Sequence, residues 1–153
     1  MINIVNIDIF KNPTEAIIHQ CNCFGTMGGG IAKLIREKYP EAAKADEQTK
    51  CGDKAKMGHY TCAKASNGVY IYNLYSQFRY GIDKRHTDYE AFYVGLTGIV
   101  SHMKNVGIKH ASIPYNIGCG LGGGSWKIIN SIIEEVFSDS GINLSICKHE
   151  PKK

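Results

Sequence analysis

Apolar and polar positions alternate from Ile2 to Ile7, and this two-residue period predicts a short strand. Ala16 to Cys21 is a second apolar run of strand length. Ile31, Leu34, Ile35 and Tyr39 recur at helical spacing, with Pro40 expected to end that helix. Lys44 to Met57 is polar and reads as irregular or partly helical. His59 to Lys64 and Val69 to Tyr75 read as two strands joined at Asn67-Gly68, a hairpin signal. Thr87-Asp88-Tyr89-Glu90 has the form of a capping box, followed by Phe92, Leu96, Ile99, Val100 and Met103 on one helical face and Gly107 as the stop. Lys109 to Tyr115 reads as a strand. Trp126, Ile129, Ile133, Val136 and Phe137 mark a helix stopped near Gly141, and Ile142 to Cys147 a last strand. Strand and helix thus alternate through the second half, around a hairpin in the middle. The pattern predicts a mixed sheet with helices on both faces.

Composition narrows this only a little. The length of 153 residues suits one domain over 1–153, large enough for a three-layer core. No apolar run approaches a membrane span, and MINIVNIDIF has neither a charged n-region nor a cleavage signal, so a cytoplasmic protein without membrane partners is expected. The formal charge of +4 permits an anionic partner without specifying one, and no long basic run favours nucleic acid. Cys21, Cys23, Cys62, Cys119 and Cys147 sit in apolar runs or glycine loops, which predicts reduced, buried thiols. No paired C-x-x-C is present, so no metal or cofactor is expected.

Two segments share one design: apolar strand, asparagine, glycine-rich loop, helix. The first runs from Ile17 through Asn22 to Gly28-Gly29-Gly30-Ile31-Ala32. The second runs from Ile113 through Asn116 to Gly118-Cys119-Gly120-Leu121-Gly122-Gly123-Gly124-Ser125-Trp126. Absent Cβ atoms let backbone approach a ligand closely, and successive amides can converge on an anion. A helix opening at the end of the loop adds its free N–H groups. Either loop alone is explained by a tight strand-to-helix turn; the pair points to a cradle for two phosphates. Gly118, Gly120 and Gly123 also satisfy G-x-G-x-x-G, but that fingerprint normally follows the first strand of a dinucleotide fold, and only one strand follows it here. The first loop is no Walker A motif, because Ile31 follows Gly30.

In order and spacing, four segments resemble a macrodomain: Asp8-Ile9, HQCNCFGTMGGGIA from His19, RYGIDKRHTDYEA in the middle, and IPYNIGCGLGGGSW from Ile113. The resemblance covers nearly the whole chain. It implies a three-layer α/β/α fold around a central mixed sheet, with an ADP-ribose cleft at the strand ends. It also implies that Asp8 accepts a hydrogen bond from the adenine amino group and that the Ile9 amide meets a ring nitrogen. The loops Gly28 to Ile31 (with Gly29 and Gly30) and Gly118 to Gly123 (with Cys119, Gly120, Leu121 and Gly122) would surround the diphosphate and distal ribose, with Asn22 beside that ribose.

Within the family, the first loop looks most like the yeast-type ADP-ribose-1''-phosphate phosphatases and their bacterial and phage relatives. This implies a catalytic His19, as general base on water or as nucleophile at phosphorus. Ending a buried strand three residues before Asn22, it would open its side chain into the cleft floor. On the residues alone, a hydrogen-bonded core histidine is the competing role. Asp83 and Asp88 are the candidates for its acidic partner, although Asp88 also suits a helix first turn. A related branch removes ADP-ribose from DNA or protein acids with a lysine after the fourth strand and, in some members, an aspartate in the second loop; Gln77 and Gly122 stand at those positions here. Arg79, Lys84, Arg85 and His86 could draw in a terminal phosphate or form a solvated loop. Tyr75, Phe78 and Tyr80 could cover the distal ribose or pack. The expected activity is hydrolysis of an ADP-ribose derivative by a monomer. The alternatives are a non-catalytic ADP-ribose reader and an ADP-ribosyl hydrolase or deacylase.

Overall fold

A computed structural model of the chain describes residues 1–27, 30–81, 84–120 and 122–149. Six strands form one sheet: β1 (Ile2–Val5), β2 (Ala16–Asn22), β3 (Tyr60–Lys64), β4 (Tyr70–Gln77), β5 (His110–Pro114) and β6 (Asn143–Cys147), in the order β1-β6-β5-β2-β4-β3. All neighbours pair parallel except the edge hairpin β3–β4. The predicted mixed sheet is therefore present, with the Asn67-Gly68 turn inside its one antiparallel hairpin.

Alternation along the buried strands divides the core in two. Ile18, Tyr72 and Leu74 face the layer of α3 (Tyr89–Val106) and α4 (Trp126–Phe137), while Ile17 and Ile71 face that of α1 (Gly30–Lys38) and α2 (Pro40–Glu47). Each fully buried Ile or Leu contributes about 1.5–3 kcal/mol to this packing. On α3 the predicted face is buried, and Gly95 lies on it because a Cβ there would collide with Leu74 Cδ1. On α4, Ile129, Ile133 and Phe137 recur every fourth residue and are buried.

Three expectations need correction. Pro40 does not merely end α1: it opens α2, since a proline at the first helical position lacks only an amide that would be unpaired anyway. The segment from Lys44 to Met57 is accordingly partly helical, as expected, with Lys44 already inside α2. Second, the cap of α3 is Asp88, whose side chain accepts from the Ala91 amide at 2.9 Å, and not Thr87, whose hydroxyl donates to Gly118 O at 2.6 Å. Third, β2 continues to Asn22, so His19 lies in mid-strand, not at the strand end.

Both faces of β2 carry polar side chains at its carboxyl half. On the α1/α2 side, His19 is fully buried. The Asn73 amide nitrogen already donates to Ala42 O and Thr61 Oγ1, each at 2.9 Å, so His19 Nε2–H must be the donor to Asn73 Oδ1 at 2.6 Å. Nδ1 is then unprotonated, 3.8 Å from Cys21 Sγ. Burial pushes the His19 imidazole down to about 4, against the opposing Asn73 hydrogen bond and Asp46 charge. The carboxylate facing His19 is thus Asp46. Asp88 caps α3 on the other layer, and Asp83 lies outside the described residues.

Two stability predictions follow from these contacts. Asp88→Ala should cost about 1 kcal/mol in urea unfolding, the usual worth of an N-cap. The unfolded chain binds a proton at His19 near pH 6.5 and the folded chain only near 4, so stability is full above 6.5 and falls as the pH drops through that window. Between about pH 6.5 and pH 5 the wild type should lose roughly 2 kcal/mol more than His19→Gln. Parallel losses in the two proteins would mean that His19 is not held neutral by burial.

Candidate functional site

A cavity of about 930 Å³ opens at the carboxyl ends of the parallel strands, within the usual range for small-molecule sites. Its wall is supplied by the segment after β1, the ends of β2, β4 and β5, the opening of α1, the second glycine loop, and Cys147 and His149 at and after β6.

At one end, Asp8 Oδ1 accepts from the Phe10 amide at 3.0 Å, and Asp8 O from the Lys11 amide at 2.9 Å. This local turn presents Asp8, Ile9 and Phe10 to the cavity. Asn22 also borders it, but its side chain organises the first loop: Oδ1 accepts from Phe24 N at 2.9 Å, and Nδ2 donates to Thr26 Oγ1 at 2.6 Å. The loop continues through Met27 to Gly30 and Ile31 on the wall, with Gly30 at φ +56°. Gly28 and Gly29 lie outside the described residues.

The second loop rests on a polar floor on the α3/α4 side of β2. Gln20 Nε2 donates to Gln77 Oε1 at 2.9 Å and to Thr87 Oγ1 at 3.1 Å, while Gln20 Oε1 accepts from Ser76 Oγ at 2.6 Å. Thr87 passes its own proton to Gly118 O. Gly118, at φ +73°, and Gly122 sit so close to this floor that a Cβ on Gly118 would stand 2.9 Å from Gln20 Oε1, and one on Gly122 would strike Thr87 Oγ1. Gly120 faces the other way, with nothing within 4 Å of a Cβ position. Gly118, Gly120 and Gly122 line the cavity. Cys119 and Gly123 do not, Gly123 lying against Arg85 Cα, and Leu121 is outside the described residues.

His19 is absent from the cavity wall, contrary to its expected place on the cleft floor. The reason is geometric: it is three residues short of the strand end and faces α2, with Nε2 committed to Asn73. Tyr75 is also buried, its hydroxyl donating to Asp46 Oδ1 at 2.6 Å, so it does not cover a ligand. Phe78 packs edge-on against Phe24, 5.1 Å between ring centres, leaving Tyr80 as the aromatic of that trio on the wall. Arg79 stacks over Phe24 and Arg85 over Tyr89, which accounts for two cations of the middle segment as packing groups.

The thiols divide by depth. Cys21, Cys23 and Cys147 are buried, Cys62 and Cys119 half-buried and Cys51 exposed, all six free. Burial holds the Cys21 thiol well above its ordinary range and pushes that of Cys23 up to about 11, which makes both poor nucleophiles.

The residues missed from the sequence are Gln20, Ser76, Thr87 and Asp46. Asp46 had a usable signal: in a helix beginning at Pro40 it falls four residues after Ala42, on the same buried face. Gln20 had only its position as an amide inside an apolar strand.

With this geometry, comparison with known proteins is informative. The Macro domain family profile matches residues 18–133. The ADP-ribose glycohydrolase OARD1 of Bos taurus is 31% identical over 147 residues, covering 95% of this chain and 90% of that protein. An ADP-ribose 1''-phosphate phosphatase of Aspergillus oryzae is 56% identical over 36 residues only, 23% of this chain and 18% of that protein. Among solved structures, the macrodomain of Thermus aquaticus DarG superposes with a TM-score of 0.78 at 22% identity, over 99% of each chain. A matching profile over most of the chain, a relative similar along nearly its full length and a shared three-layer fold lead to one conclusion: this chain belongs to the Macro domain family.

Proposed function

We propose that this protein binds ADP-ribose and hydrolyses an ADP-ribose derivative. The observation that carries the reading is the cavity itself, with the Asp8 turn at one end, glycine backbone in the middle and the ends of β2 and β4 at the other. Four strand spacings separate β1 from β4 in the sheet, about 19 Å at roughly 4.8 Å each. That length suits an extended ligand with an adenine, a diphosphate and two riboses. Asp8 has a second carboxylate oxygen for the adenine amino group, and the Ile9 amide would meet a ring nitrogen. The diphosphate would lie against Gly30, Ile31 and Gly118 to Gly122, and the distal ribose near Asn22.

The derivative we favour is the phosphate monoester ADP-ribose-1''-phosphate, supported by the short match to the Aspergillus phosphatase. The full-length similarity to an ADP-ribose glycohydrolase supports hydrolysis at the distal ribose more broadly. One observation favours a second reading, ADP-ribose binding without turnover: His19 is buried behind the wall, and Gln77 stands where a related branch carries its lysine.

Calorimetry should give a micromolar Kd for ADP-ribose, about −8 kcal/mol. Gly120→Glu should abolish binding with the fold intact, since the open space at that position directs a carboxylate into the phosphate site. Undiminished affinity in this variant would remove the second loop from the ligand site. The inosine analogue should bind more weakly than ADP-ribose; equal affinities would rule out the Asp8 contact. Incubation with ADP-ribose-1''-phosphate, an acetylated ADP-ribose and ADP-ribosylated protein, read by mass spectrometry, should show loss of phosphate from the first. Turnover of another substrate would reassign the derivative, and turnover of none would leave the reader.

A further inference from the structure

One carboxylate at the cavity wall belongs to neither glycine loop nor to the Asp8 turn. Asp46, on the inner face of α2 beside Ala42 and Ala43, is 3% exposed and yet borders the cavity. Its two oxygens are not equivalent. Oδ1 accepts the Tyr75 hydroxyl at 2.6 Å. Oδ2 has no hydrogen-bond partner among the described residues, and among those residues no buried side-chain oxygen or nitrogen is left without one. Oδ2 is therefore the oxygen open to the cavity. It points toward the base of the first loop, where a Cβ on Gly25 would stand 3.8 Å away.

Tyr75 is itself fixed. Its oxygen lies 3.2 Å from Thr61 Oγ1, and Lys56 Nζ sits 5.2 Å from its ring centre. Thr61 continues through Asn73 to His19. A carboxylate this withdrawn from water is costly unless it is hydrogen-bonded, and Tyr75 supplies that bond at Oδ1 alone. Here one oxygen is held rigidly and the other is presented to the ligand space, the arrangement required of a group that accepts a proton at a defined point.

Resting on the hydrolytic reading above, we propose that Asp46 is the general base of this site, taking a proton through Oδ2 from the attacking water at the distal-ribose end, with Tyr75 as its positioning residue. For the phosphate monoester, the water oxygen bonds to phosphorus as its proton passes to Oδ2. The bond from phosphorus to the ribose oxygen breaks on the opposite face, and the departing oxygen takes a proton from solvent. Asp46 releases its own to solvent, regenerating the carboxylate. The titratable groups that face Asp46 are His19 and Cys21 of β2, Cys23 just beyond it, Tyr75 of β4 and Lys56 after α2.

The test uses the full chain with ADP-ribose-1''-phosphate and the other two substrate classes. Asp46→Asn keeps an oxygen for the Tyr75 hydroxyl; it should lower kcat by roughly two to four orders of magnitude while ADP-ribose affinity stays within a few-fold. Tyr75→Phe should lower kcat about tenfold at unchanged KM, because the hydrogen bond that orients the carboxylate is lost. Wild-type turnover that survives in Asp46→Asn, or a loss of affinity equal to the loss of turnover, overturns the role of Asp46 and leaves the hydrolytic reading standing. If Asp46→Asn does not fold, an unchanged kcat in Tyr75→Phe, or a fall in kcat matched by a rise in KM, overturns it instead. A wild type inactive on all three substrates overturns both.

Discussion

The side-chain amide of Gln20 joins four separate parts of the chain at the one point where they must meet. It extends from the central strand β2 to Ser76 and Gln77 of β4, to Thr87 just before α3 and, through Thr87, to the backbone of the second glycine loop. The amide is only half-buried, but its three hydrogen bonds hold each partner in place. The loop lies directly on this layer, and that closeness excludes side chains from Gly118 and Gly122. Part of the glycine content of the loop is thus imposed from below by the floor. Gly120, which points outward, is the position whose lack of a side chain serves the ligand space.

The same separation of faces explains why His19 lies behind the cavity wall and Asp46 on it. Successive residues of β2 face opposite layers, so His19 and Cys21 belong to the α1/α2 side and Gln20 to the α3/α4 side. On the former side the chain from His19 through Asn73, Thr61 and Tyr75 ends at Asp46. The histidine is the closed end of that chain, neutral and fully bonded, and the aspartate the end that opens on the cavity.

The elements with clear periodicity were legible in the sequence. The hairpin, α3, α4 and the two strand–loop–helix units lie where apolar spacing and turn residues put them, because their burial follows directly from that spacing. Asp8, Ile9, Asn22, Gly30, Ile31, Gly118, Gly120 and Gly122 fall on the cavity wall because glycine loops and a strand-end turn are local motifs. What was not legible depended on long-range contacts. Whether Thr87 or Asp88 caps α3 is decided by Gly118, some thirty residues away, competing for the Thr87 hydroxyl. Whether His19 reaches the cleft is decided by the length of β2 and by Asn73 on the neighbouring strand. α2 was obscured by a proline that opens a helix as readily as it ends one.

The position of β1 has a consequence for how the molecule is made. β1 pairs with β6 alone, so Ile2 lies opposite Leu144 and Val5 opposite Cys147. β1 therefore has no strand partner until β6, about 140 residues later, has been synthesised. At about 5–20 residues per second, that wait is on the order of ten to thirty seconds. Throughout it, the Asp8 turn beyond β1 stays undocked, while β2, β3 and β4 have already emerged and can pair. One half of the sheet can thus assemble during translation, but the Asp8 end of the cavity is completed only once β6 has emerged.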